Sequence, residues 1–265
     1  MVKKLFKHEV YALWRSMMPI WGVLFGVSIL GRFIQLFEQE TVAYDIVSGS
    51  AIFFYVVSLL ACLVCPFVFA ITRFYRNLFK GEGYLTLTLP VTIDQHILMK
   101  LVVAVCTELA TLLVAAISVI LITFGDLTAE IFKAIGYLLK ISFKSLGAHL
   151  PLYMVELMIG IVALFALETL LFYTCICVGQ QSKKNRVLAA VGAYFGIYVI
   201  QQVLSTILLL IGIGIDWEPL SVWVFNHRFA TVHIVICGII LLSTLIGGLF
   251  YWISRWLMIH RLNLE

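Results

Sequence analysis

Three glutamates, Glu108, Glu156 and Glu168, lie inside long apolar stretches of this 265-residue chain. At membrane depth a carboxyl group is costly enough to be a functional hypothesis by default: it can take up and release a proton, or accept hydrogen bonds that join helices. Glu108 shares a helical face with Ala104, Thr111, Ala115 and Ser118, a small and polar stripe that lets helices approach closely. It lies about 12 Å along a helix from Lys100, near mid-membrane. Glu156 and Glu168, twelve residues apart, are rotated by about 120° on a helix and so do not form a paired-carboxylate site on one face. For Glu108 and Glu168 a place on a transport pathway and a structural hydrogen bond are both open readings.

Other chemistries lack their residues. A zincin needs two imidazoles one turn apart, His-Glu-x-x-His, and none of His8, His96, His149, His227, His233 and His260 is in that pattern. No Gly-x-Ser-x-Gly elbow holds a nucleophile, and no Gly-x-x-x-x-Gly-Lys-Ser/Thr loop cradles a triphosphate. The six cysteines fall in apolar runs, and Cys62-x-x-Cys65 has no second ligand pair for zinc, so they read as small packing residues. Neither an enzyme nor a metal site is expected.

The elements that position these residues follow from composition. The chain is 63% hydrophobic and 12% charged, far from the roughly 25% charged of soluble domains. Six runs approach the roughly 20 apolar residues of a membrane-crossing helix: Met17 to Phe37, Ala51 to Thr72, Ile97 to Phe124, Pro151 to Gly179, Val187 to Ile215 and Val232 to Met258. A barrel would show short alternating strands instead. The expectation is an all-α polytopic membrane protein, a single six-helix domain over 1–265 with no soluble domain. The first run is too long for a signal peptide and lacks a cleavage pattern, so it is expected to stay in the mature chain.

Lysine and arginine set orientation, because short loops rich in them stay cytoplasmic. Lys3, Lys4, Lys7, Arg15, Arg73, Arg76, Lys80, Lys100, Lys183, Lys184, Arg186, Arg255 and Arg261 fall on one side, with far fewer on the other, where Glu38, Glu40, Asp45, Asp126, Glu130, Asp216 and Glu218 collect. Both termini are expected in the cytoplasm. The basic residues are dispersed, which argues against nucleic-acid binding.

Residues 2 to 17 alternate Val2, Leu5, Phe6, Val10, Leu13, Trp14 and Met17 with Lys3, Lys4, Lys7, His8, Tyr11 and Arg15, a basic amphipathic helix in the headgroup layer over 1–16. A second interfacial helix is expected over 127–146, with Leu127, Ile131, Ile135, Leu138 and Ser142 on one face and Lys133, Lys140 and Lys144 on another. Trp217, Trp223 and Phe225 suit an interfacial anchor before the last span. Gly192-x-x-x-Gly196 is a weak helix-packing signal.

The stretch RNLFKGEGYLTLTLPVTIDQH, residues 76–96, interrupts the apolar pattern. Gly81 and Gly83 stop the second helix, Pro90 fixes a turn, and Thr92 with Gln95 forms a capping box for the third. Between them Tyr84-Leu85-Thr86-Leu87-Thr88-Leu89 is a short apolar piece held at both ends, which points to docking on a soluble partner.

RFYRNLFKGEGYLTLTLPVTIDQHILMKL, residues 73–101, resembles the first cytoplasmic loop of bacterial ABC-2 type transporter permeases, notably those of Gram-positive bacteria. The rest of the chain agrees with them in plan. The resemblance implies that 73–96 is a coupling loop, with Glu82, Gly83, Tyr84, Leu85, Thr86, Leu87 and Leu89 seated in a groove of a separate ABC ATPase subunit that binds ATP and magnesium. It also implies a second permease chain, as homodimer or heterodimer, a bacterial cytoplasmic membrane and an exported substrate of unknown identity, with no cofactor in this chain. The alternatives are a membrane sensor or resistance subunit that uses the same ATPase without transport, and an ion-coupled carrier that uses its intramembrane glutamates.

Overall fold

A computed structural model describes residues 2–37, 41–79, 91–182, 185–213 and 218–260. Among these the secondary structure is helical, with no strand. The helices are α1 (Val2–Gln35), α2 (Val42–Phe79), α3 (Ile93–Ile122), α4 (Asp126–Leu146), α5 (His149–Gly179), α6 (Arg186–Ile213), α7 (Glu218–Asn226) and α8 (Arg228–His260). Six of them, α1, α2, α3, α5, α6 and α8, are long and apolar enough to cross a membrane. The protein is a multi-pass helical membrane protein, and each apolar run of the sequence coincides for most of its length with one of those helices, because only a helix satisfies every backbone polar group within its own segment in lipid. The residues singled out for ATPase coupling, Glu82 to Leu87 and Leu89, lie outside the described residues.

Contacts divide the chain into two compact units, one of residues 1–73 and 98–145, the other of 74–97 and 146–265. In the first unit α1 buries Glu9, Leu13, Met17, Trp21, Leu24 and Ser28, a stripe at three- and four-residue spacing that makes one helix face. Met17, Trp21 and Leu24 pack with Tyr55 and Cys62 of α2 and Ile122 of α3. The small and polar stripe of α3 is buried along its length: Ala104, Glu108, Thr111, Ala115 and Ser118 are all withdrawn from the surface. The Trp21 indole donates to Thr111 Oγ1 at 3.2 Å, and the hydroxyls of Tyr55 and Ser118 are 3.2 Å apart. Such bonds between membrane helices contribute about 0.6 kcal/mol on average. They give α1 and α2 fixed rotations against α3.

Residues 2–16, expected as an amphipathic helix in the headgroup layer, are helical and continuous with the first long apolar helix: α1 runs from Val2 through Pro19 to Gln35. Its packed face is centred on Glu9 and Leu13, while Phe6 and Trp14 are only partly covered. The helix expected over 127–146 is α4, and its Ile131, Ile135 and Leu138 are partly to largely exposed among the described residues, as a face that meets a bilayer would be. Gly125 makes the turn into α4 with φ +127°, a conformation that suits glycine, and a Cβ there would stand 2.6 Å from the Arg32 guanidinium.

In the second unit α5 and α8 run side by side. The Thr174 hydroxyl lies 3.0 Å from the Phe250 carbonyl and 2.9 Å from Ser254 Oγ. Gly247 brings α8 close to Leu167 and Leu170. The α5–α6 turn is tight at Gly179, where a Cβ would stand 2.6 Å from Ala190 Cβ and 2.7 Å from two backbone atoms. Gly192 and Gly196, by contrast, meet nothing within 4 Å among the described residues.

Candidate functional site

The capping box expected at the start of α3 is present. The Gln95 N–H donates to Thr92 Oγ1 and the Thr92 N–H donates to Gln95 Oε1, each at 3.3 Å, so two donors at the helix end are satisfied reciprocally. Within the same first turn, Tyr251 donates its hydroxyl proton to Asp94 Oδ1 at 2.7 Å, and Arg255 Nε donates to the same oxygen at 2.7 Å. On the other side of the loop, Phe74 of α2 stacks on Tyr173 of α5 with ring centres 3.8 Å apart and planes 8° from parallel. Both rings are buried. The last turns before residues 80–90 and the first turns after them are thus tied to α5 and α8, within the second unit.

In the first unit a charged cluster ties the same two helices to α1. Glu9 accepts from Arg73 Nε through Oε2 and from Lys100 Nζ through Oε1, each at 2.5 Å, and the Lys100 and Glu9 side chains are only 5% and 8% exposed. A buried charge is tolerable when it is paired and hydrogen-bonded, and loss of one partner costs about 3–5 kcal/mol. Asp94 and Arg255 are 36% and 45% exposed, where an ion pair contributes only about 0–1 kcal/mol. Glu9 is therefore the strong fastener and Asp94 the soft one. Sequence reading omitted Glu9, since a lone acidic residue among lysines looks like part of a solvated face. The usable signal is its spacing: Glu9 lies four residues before Leu13 and eight before Met17, on the apolar face.

The three glutamates of the long apolar helices have different surroundings. Glu108 is buried in α3 and Glu168 is exposed on α5. Glu156 belongs to a cluster that the sequence reading did not assemble. His233 Nδ1 is 2.7 Å from Glu156 Oε1, and His233 Nε2 is 3.1 Å from His149 Nδ1. Aromatic rings enclose this chain: Tyr153 stacks on His233 at 4.2 Å, and Phe229 stacks on His149 at 5.0 Å. The Tyr153 hydroxyl donates to the Phe229 carbonyl at 3.0 Å. His149, Tyr153 and Glu156 follow the i, i+4, i+7 spacing of one helix face, so half of the cluster was present as a pattern, whereas His233 arrives only through the α5–α8 contact.

Among the described residues no three His, Cys, Asp or Glu side chains are placed to hold a metal ion. The six cysteines are free thiols, with Cys62, Cys175 and Cys177 buried. Neither a protein-family model, nor a curated protein, nor a solved structure matches this chain.

Proposed function

We propose that this chain is the permease subunit of an ABC-2 type exporter, with both termini in the cytoplasm of a bacterial cell and the loop 73–96 seated on a separate ATPase. The observation that carries the reading is the fastening of the loop's two ends. Phe74 locks the end of α2 to Tyr173, and Asp94 ties the start of α3 to Tyr251 and Arg255. A loop that passes motion from a soluble subunit needs stiff ends, since slack there would absorb the displacement. With these ends held, movement of the loop is delivered to α5 and α8, and the same α2 and α3 carry Arg73 and Lys100, the partners of Glu9. The resemblance of GEGYLTLTLP to ABC-2 loops supplies the family; the fastening supplies the mechanics. The ATPase holds ATP and magnesium, and a second permease chain completes the pathway.

The test is co-purification. With the chain tagged and expressed beside its neighbouring ATPase, the ATPase is recovered and hydrolyses ATP, and Tyr84→Ala with Leu87→Ala releases it without loss of membrane insertion. An ATPase retained by the double variant would remove the loop from the interface. A chain that purifies alone would favour the carrier reading. Substrate-stimulated hydrolysis without vectorial transport in vesicles would favour the sensor reading.

A further inference from the structure

We infer that Glu156, His233 and His149 form a one-proton loading site, reached from the helix ends at His149, with Glu156 as the final acceptor. The site is independent of the loop and of any ATPase.

His149 is the first residue of α5 and is half-buried. Glu156 lies seven residues further in, about 10 Å along the helix. Imidazole is the side chain suited to hand a proton from one nitrogen to the other in the physiological range. Here both nitrogens of His233 are engaged, one to the carboxylate and one to the second ring. In the proton-free form His233 Nδ1–H donates to the Glu156 carboxylate, and His149 Nδ1–H donates to His233 Nε2.

A proton added at His149 Nε2 can be absorbed without loss of a hydrogen bond. The His149 Nδ1 proton passes to His233 Nε2, and the His233 Nδ1 proton passes to Glu156 Oε1. Each ring loses one N–H and gains one, so both end neutral in the opposite tautomer, and Glu156 becomes a carboxylic acid. Its O–H now donates to His233 Nδ1, and His233 Nε2–H donates to His149 Nδ1. The two hydrogen bonds survive with reversed polarity, and the cluster passes from one negative charge to none. A second proton would set N–H against N–H or O–H against N–H and break the chain, so the capacity is one. Glu156 Oε2 is buried and has no hydrogen-bond partner among the described residues. The carboxyl is therefore engaged through Oε1 alone, enough for a neutral acid that donates one bond and little for a carboxylate with several lone pairs to satisfy.

Among the described residues, few other titratable or charged groups lie on the elements packed here. On α5 the Tyr153 hydroxyl is spent on the Phe229 carbonyl. On α8 Arg228 lies over the Phe229 ring, 5.0 Å from its centre. Residues 203–213 of α6 include no ionisable side chain. The ionisable residue of α7 is Glu218, and His227, in the turn before α8, stacks on Trp223. Glu168, twelve residues beyond Glu156 and about 120° around the helix, does not continue the path. The proton is stored, not passed on.

The test is histidine-selective ¹⁵N solid-state NMR of the full chain in lipid bilayers, with His149→Gln and His233→Asn used for assignment. As the sample is acidified stepwise, His233 is expected to stay neutral and change from the Nδ1–H to the Nε2–H tautomer, while a carboxylic-acid C=O band grows in the infrared spectrum. In Glu156→Gln both changes should vanish. An imidazolium at His233, or one tautomer across the range, overturns the proposal. So does a tautomer change that persists in Glu156→Gln. Should the Gln variant fail to fold, the wild-type spectrum still separates an imidazolium or a single tautomer from the expected tautomer change.

Discussion

The carboxylate of Glu9 and the ammonium of Lys100 meet at 2.5 Å across α1 and α3, both nearly removed from solvent. Removing Glu9 leaves buried positive charge with one partner fewer, so Glu9→Ala is expected to destabilise the protein by about 3–5 kcal/mol. Glu9→Met combined with Lys100→Met takes away both ends of the pair and should cost less than Glu9→Ala. Thermal unfolding of the purified variants in lipid nanodiscs checks the order. A double variant as unstable as the single one would mean that the cluster's shape, rather than its charge balance, holds α1.

Asp94 should behave differently. Its ion pair with Arg255 is half exposed, so Asp94→Asn is expected to cost only about 1 kcal/mol. On the proposed mechanics the variant still binds the ATPase but moves less substrate per ATP, since the start of α3 is looser against α8. Transport and hydrolysis measured together in reconstituted vesicles test this, and an unchanged ratio would show that Asp94 carries no coupling.

Glycine substitutions separate a close approach from an open one. Gly179→Ala would drive a methyl group against Ala190 and the Arg186 carbonyl, an overpacking expected to cost about 1–3 kcal/mol. Gly192→Ala and Gly196→Ala meet open space within the chain and should leave the isolated chain's stability unchanged or improved, because alanine favours helix by up to about 1 kcal/mol over glycine. Thermal unfolding of the three variants side by side gives the comparison. Loss of assembly, without loss of stability, in the Gly192 or Gly196 variant would place a second chain on that face.

The buried and exposed glutamates should also part. Glu108→Gln introduces amide hydrogens into a site closed around a carboxyl and is expected to cost about 1–3 kcal/mol. Glu168→Gln, on an exposed surface, should stay within about 0.5 kcal/mol of the parent. If Glu168 belongs to a transport pathway, its variant changes uptake or export at unchanged stability. Stability and vesicle transport measured on the same preparations distinguish the two roles.

The six long apolar helices were legible from the chain alone, because a bilayer requires long apolar runs and leaves the backbone no alternative to helix within them; their ends were not, since α2 runs from Val42 to Phe79 around an apolar run of Ala51 to Thr72, and α7 was not anticipated. The α3 stripe was legible for a related reason: small and hydroxyl side chains recurring on one face mark where a helix is approached closely, and that face is buried. The capping box was local, fixed by Thr92 and Gln95 three residues apart. What the chain alone left open were partnerships between residues far apart in sequence. Glu9 finds Arg73 and Lys100, Asp94 finds Tyr251 and Arg255, and Glu156 finds His233. In an apolar chain nearly every helix face is greasy, so hydrophobic pattern does not say which faces meet. Tertiary packing decides that, and each ionisable residue within the helices then settles wherever the packing offers it a partner.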